Sequence, residues 1–145
     1  MSHSMSRAER EEFLAGPHVG VLSVDGGDGT PPLTVPVWYT YQPGGVVSLS
    51  TGRQTRKAEL IAAAGRFALC AQDERPPYKY VTVTGPAVIE DIDRAERLAI
   101  ARRYLGDEGG DAYMAMTGDG APGRQVAIRM TPEHWLSADF GKDLR

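Results

Sequence analysis

The sequence predicts a mainly-β fold, a barrel-like antiparallel sheet with short helices inserted into it. Three observations carry that prediction. At least six runs are rich in β-branched and aromatic residues, and turn signals built on Gly, Pro and Asp separate them. Strand–helix–strand alternations are too few for a parallel, doubly wound sheet. No internal repeat and no linker divides the 145 residues, so residues 1–145 read as one domain.

Each element follows from local chemistry. Ser6 and Glu9 have the spacing of a capping box and open a short helix that turns Phe13 and Leu14 inward, ended by Gly16-Pro17. Residues 18–24 form a strand that runs into Asp25-Gly-Gly-Asp28-Gly, a hairpin turn. Residues 33–41 follow as a second strand. Pro36 lies inside it and cannot donate to a ladder, so the strand belongs at an edge or breaks there. Pro43-Gly-Gly45 turns the chain into a third strand over 46–51, which completes an expected three-stranded meander. Ala58, Ile61 and Ala62 then recur at helical spacing, and Gly65 closes that helix. Residues 66–72 and 78–89 make the fourth and fifth strands. A helix begins at Asp91 or Asp93, where Glu96 has capping-box spacing to Asp93, and stops at Gly106. A short helix around 112–116 and a glycine-rich loop, read as a possible lid over a ligand, lead to one final strand over 125–137. Residues 1–5 are expected outside the ordered fold.

Composition narrows the function. Hydrophobic residues make up 41% and charged residues 24%, an ordinary globular balance, and the net charge of −3 gives no global attraction to nucleic acid or anionic lipid. Cys70 is the only cysteine, which excludes an internal disulfide and a thiolate metal cluster. No apolar run approaches the roughly 20 residues of a membrane span, and the N-terminus lacks the pattern of a secretion signal. The expected compartment is the cytosol. His3, His18 and His134 lack metal-ligand spacing, the Asp25-Gly-Gly-Asp28 stretch lacks the rest of a calcium loop, and no metal site is expected.

The most informative segment runs from Ser48 to Lys57. A strand ends in Ser50 and Thr51, a glycine frees the backbone, and Arg53, Thr55, Arg56 and Lys57 surround the start of a helix. Hydroxyls, backbone N–H groups and cations at a helix N-terminus together suit a phosphate. Cations there oppose the helix dipole, which makes better sense when an anion joins them. A solvated basic turn explains the stretch about as well. Val35, Pro36 and Val37, beside Trp38, offer unpaired backbone groups to the edge of a planar heterocycle, or form a plain edge strand. Tyr78 and Tyr80 share one face of a strand and Lys79 the other. No nucleophile elbow is present.

In their order and spacing, Val19-Gly-Val-Leu-Ser-Val, Val35-Pro-Val-Trp-Tyr, Leu49-Ser-Thr-Gly-Arg-Gln-Thr-Arg-Lys-Ala and Pro76-Pro-Tyr-Lys-Tyr-Val-Thr-Val-Thr-Gly85 resemble the pyridoxamine-5′-phosphate-oxidase-like split β-barrel flavoproteins. The resemblance spans about 13–139 and is strongest to the actinobacterial branch of deazaflavin (coenzyme F420)-dependent reductases that includes biliverdin reductases. It implies a Greek-key split barrel and a homodimer with two sites between subunits. Ser50, Thr51, Arg53, Arg56 and Lys57 would hold the cofactor's phosphate and acidic tail. Val35, Pro36 and Val37 would line the ring. Tyr78, Lys79 and Tyr80 would approach it from either subunit, with Lys79 and Tyr80 as candidate proton donors. Thr55 stands where relatives carry an arginine, and the arginine-rich C-terminal motif of vitamin B6 oxidases is absent. The implied activity is hydride transfer from reduced F420 to an unsaturated planar small molecule. The alternatives are an enzyme using flavin mononucleotide (FMN) and a non-catalytic binder of a cofactor or haem, with His18 or His134 as the available haem ligands.

Overall fold

The structure, a computed structural model, describes residues 3–118 and 123–144. It is a curled, mostly antiparallel sheet carrying three helices, a split β-barrel. Chain order is α1 (Arg7–Ala15), β1 (Gly20–Val24), β2 (Leu33–Val37), β3 (Val47–Gly52), α2 (Arg56–Ala64), β4 (Arg66–Asp73), β5 (Lys79–Asp91), α3 (Arg94–Thr117), β6 (Gln125–Met130) and β7 (His134–Asp139). A 3-10 turn follows over Phe140–Leu144. No described helix is long and apolar enough to cross a membrane.

The caps behave as their chemistry requires. Ser6 and Glu9 make a reciprocal capping box on α1. Thr55 caps α2, accepting the Ala58 N–H, and Gly65 ends that helix at φ +75°. Asp93 caps α3 by accepting the Glu96 N–H. The Glu96 carboxylate, however, reaches across to Arg129.

Strands run in the order β2-β1-β4-β5-β6-β3, with β7 paired to β5. Pro36 therefore sits on an edge strand, where its missing donor costs nothing. The expected meander is corrected: β3 pairs with β6, and only a single bridge, Thr40 with Ser48, links it to the β2 side. The cause is that the second strand ends at Val37, because the chain leaves the sheet at Trp38 and Tyr39. The single final strand is corrected too. It divides at 131–133, around Pro132, into β6 and β7. The thirteen-residue β5 switches partner along its length, from β7 over its first half to β6 beyond Gly85. At that crossing a Cβ on Gly85 would lie 1.8 Å from the Thr131 carbonyl oxygen.

The core fills the inside of this sheet: Leu22, Leu49, Leu69, Val81, Val83, Ile128 and Met130 are at most 1% exposed. Strict alternation along β1 and β4 puts one face inward. From α2, Ala58, Leu60 and Ile61 are buried, whereas Ala62, expected inside, is exposed, with Leu60 taking the inward position in its place. Residues 3–5, expected outside the fold, are corrected as well. Met5 is buried and donates its N–H to the Ser137 hydroxyl, and the His3 carbonyl accepts from the Asp139 N–H. The helix expected to stop at Gly106 does turn there, at φ 78° and ψ 171°, and a second helical run over 107–117 continues it. Most of the glycine-rich loop expected over 118–123 lies outside the described residues.

Candidate functional site

A pocket of about 430 Å³ opens between the barrel and α3. The barrel supplies Pro36, Val37 and Trp38 at the end of β2, Val19 just before β1, Ser50 on β3 and Gln125 on β6. Lys57, in the first turn of α2, completes that wall. The opposite wall is α3: Arg97, Ile100 and Ala101 from its first run, Tyr113 and Met114 from its second. The lining thus combines polar side chains, Ser50, Lys57, Arg97 and Gln125, with apolar ones, Trp38, Ile100 and Met114.

The polar part of the lining is built to attract charge. Lys57 is half-buried, and burial alone pushes its ammonium below the usual lysine value; it has no carboxylate partner among the described residues. It lies in the first turn of α2, where Thr55 takes the Ala58 N–H and the helix dipole adds positive potential. The Ser50 hydroxyl lies 3.5 Å from the Gln125 side-chain oxygen. Four of the sequence-predicted residues, Pro36, Val37, Ser50 and Lys57, are brought together here.

Others are placed elsewhere. The Thr51 side chain is buried, its hydroxyl 3.3 Å from that of Thr55. Arg53 turns away to Asp91 (2.8 Å) and the Gly123 carbonyl (2.7 Å), where it ties the β3–α2 turn to the β6 end. Arg56 is exposed outside the pocket lining. The Val35 side chain packs on the core. Within this chain Tyr78, Lys79 and Tyr80 do not reach the pocket. Lys79 instead lines a second concavity with Asp73, Arg75 and Asp139. Thr55, the departure from the family pattern, earns its position as the α2 cap, donating to the Gly52 carbonyl (2.9 Å) while accepting the Ala58 N–H (3.3 Å). No histidine lines the pocket: His18 stacks on Phe13, and His134 pairs with Glu133 on the surface.

The α3 wall is the part that sequence reasoning missed. Its signal was present: Arg97, Ile100, Ala101 and Tyr104 follow i, i+3, i+4, i+7 spacing, one helical face. Side chains fasten this helix at both ends of its first run. Near its start, Arg129 grips the Glu96 carboxylate through both terminal nitrogens (2.8 and 2.9 Å), with Glu90 (2.7 Å) and the Ser48 hydroxyl (3.1 Å) completing the cluster. The two carboxylates hold the Arg129 pKa above its usual value. Seven residues on, Arg103 donates to the Ala15 and Gly16 carbonyls (2.8 and 2.7 Å), capping α1 from outside.

Comparison with known proteins agrees with this architecture. The model of the pyridoxamine 5′-phosphate oxidase family matches residues 6–138. Among solved structures, the conserved hypothetical protein Rv2991 from Mycobacterium tuberculosis superposes with a TM-score of 0.78 at 24% identity, covering 99% of this chain and 91% of its own. A protein described as an F420 reductase gives 0.67 at 23%, covering 87% and 94%. A FAD-binding protein from Mesorhizobium loti gives 0.61 at 22%, covering 92% and 93%. No curated protein matches the sequence.

Proposed function

The chain belongs to the pyridoxamine 5′-phosphate oxidase family, and we propose that its pocket holds a flavin-type cofactor, coenzyme F420, to reduce a planar, unsaturated small molecule. The observation that carries this reading is Lys57: a half-buried ammonium without a carboxylate partner among the described residues, at a helix N-terminus, inside a pocket that Trp38 also lines. A phosphate-bearing planar heterocycle suits both residues at once.

The residues fit such a group in distinct ways. Lys57, the Ser50 hydroxyl and the first-turn N–H groups of α2 would hold its phosphate. The edge backbone at Pro36 and Val37 would meet the rim of the ring. Ile100, Met114 and Trp38 would exclude water from it, and Arg97 adds a second cation suited to an acidic tail. When bound in its reduced form, the cofactor supplies a hydride; the protein supplies orientation and a dry contact with the acceptor. The accompanying proton would come from water or from Lys79 or Tyr80. Those two would enter the site from a second copy of the chain, in a homodimer with paired sites. The exposed apolar side chains Val19, Val88 and Leu136 support such pairing.

FMN is the second reading, favoured by the similarity to a protein described as FAD-binding. An acceptor screen separates the two. Purified protein is given reduced F420 or reduced FMN with a panel of conjugated acceptors, and cofactor oxidation is followed by absorbance. Turnover with F420 alone supports the leading reading. Turnover with FMN alone replaces it, and turnover with neither removes the enzymatic assignment.

A further inference from the structure

We propose that Tyr104 is a positioning residue that aims Trp38 at the pocket, and so selects ligands with a flat ring; the ligand part rests on the reading above. The need for such a residue follows from the path of β2. The chain leaves the sheet after Val37, so the Tyr39 peptide groups lose the ladder partners that an edge strand would have given them. One side chain from a helix 65 residues away stands in for them. The Tyr104 hydroxyl oxygen accepts the Tyr39 N–H (3.0 Å), and its O–H donates to the His18 carbonyl (2.7 Å) or the Tyr39 carbonyl (2.9 Å).

The same residue acts on the indole. The Tyr104 ring stacks on Trp38 with centroids 5.2 Å apart and planes 6° from parallel. Immediately after Trp38, the Tyr39 side chain is fully buried and donates its O–H to the Leu14 carbonyl at 2.7 Å, which removes rotation of the backbone as an alternative. Tyr113, tilted 54° at 5.2 Å, bounds the indole from the second run of α3. Trp38 is therefore held in one orientation from backbone and ring together, with its remaining surface on the pocket.

The test uses the full chain carrying Trp135→Phe, which leaves Trp38 as the sole indole of two. Tyr104→Phe keeps the ring and deletes the hydroxyl. It is expected to shift Trp38 emission in the ligand-free protein and to raise the Kd for F420, and for FMN if that binds, about tenfold. Arg66→Gln removes a surface ion pair with Glu133 (3.0 Å) outside the pocket lining and is expected to leave emission and both Kd values within about twofold. Unchanged emission in Tyr104→Phe, or the same effects from Arg66→Gln, overturns the proposal. Emission is read without ligand, so a parent protein that binds neither probe sinks the cofactor reading while the emission shift still decides the positioning. A second variant avoids any dependence on Tyr104→Phe folding: Trp38→Leu is expected to weaken lumiflavin, the ring without phosphate, about tenfold. Lumiflavin binding equal to the parent's contradicts the selection of flat rings.

Discussion

The two walls of the pocket are held in place by different physics. The barrel wall is backbone: Ser50 sits in a register fixed by β3 pairing with β6, and Pro36 and Val37 in one fixed by β2 pairing with β1. The α3 wall is fastened through side chains, chiefly Arg129 to Glu96, Arg103 to α1, and Tyr104 to the 18 and 39 carbonyls. Ladders distribute load over many bonds, whereas an anchor fails singly. The barrel wall should therefore break globally and the α3 wall locally, with ligand binding sensitive to both.

The largest expected effect is on the barrel. Gly85→Ala drives a methyl group into the Thr131 carbonyl where β6 and β7 cross β5, with backbone on both sides and no flexible tip to yield. It should cost more than about 3 kcal/mol and lower the midpoint of cooperative unfolding in urea. Arg129→Gln acts on the other wall. Glu96 and Glu90 then lose a shared cation that is only a quarter exposed, for about 1–2 kcal/mol after allowance for solvent screening. Amide exchange should accelerate over 94–105 and leave the β4–β5 ladder protected; uniform acceleration would break the distinction between the walls. Gly106→Ala places a Cβ at φ 78°, ψ 171°, a region restricted to glycine, for about 1–3 kcal/mol. Its effect should be confined to 107–117 by the same exchange measurement.

The pH response is the smallest. The Lys57 pKa is depressed by burial, so between that value and the unfolded value near 10.5 the folded chain binds fewer protons than the unfolded one. Stability of the free protein at this site therefore rises with pH across the window. An anionic ligand favours the charged ammonium, so affinity should fall as pH rises through the lowered pKa. Lys57→Arg should flatten that profile, because a guanidinium stays charged.

The same contrast explains what the sequence discloses. Caps at Ser6, Thr55 and Asp93, the edge position of Pro36 and the α2 start with Lys57 are local, decided within a few residues. The division of the last strand was marked by Pro132, but the crossing that demands it involves Gly85, 47 positions earlier in the chain. The stripe of Arg97, Ile100, Ala101 and Tyr104 could be read from spacing as a helix face, yet spacing does not say whether such a face meets a core or a pocket. Arg53 shows the converse. Its position in the basic turn suited a phosphate, and a partner 38 residues away, Asp91, took its guanidinium instead.

The most direct test of a pocket that joins a phosphate cradle to a flat apolar wall is a titration of the purified protein and its Lys57→Ala variant with F420 and FMN by tryptophan quenching. Saturable quenching by F420 that weakens about tenfold in Lys57→Ala, a loss of about 1.4 kcal/mol, is the result predicted. Equal affinity of the two proteins would mean that Lys57 holds no anion, and the cofactor would have to lie outside this pocket.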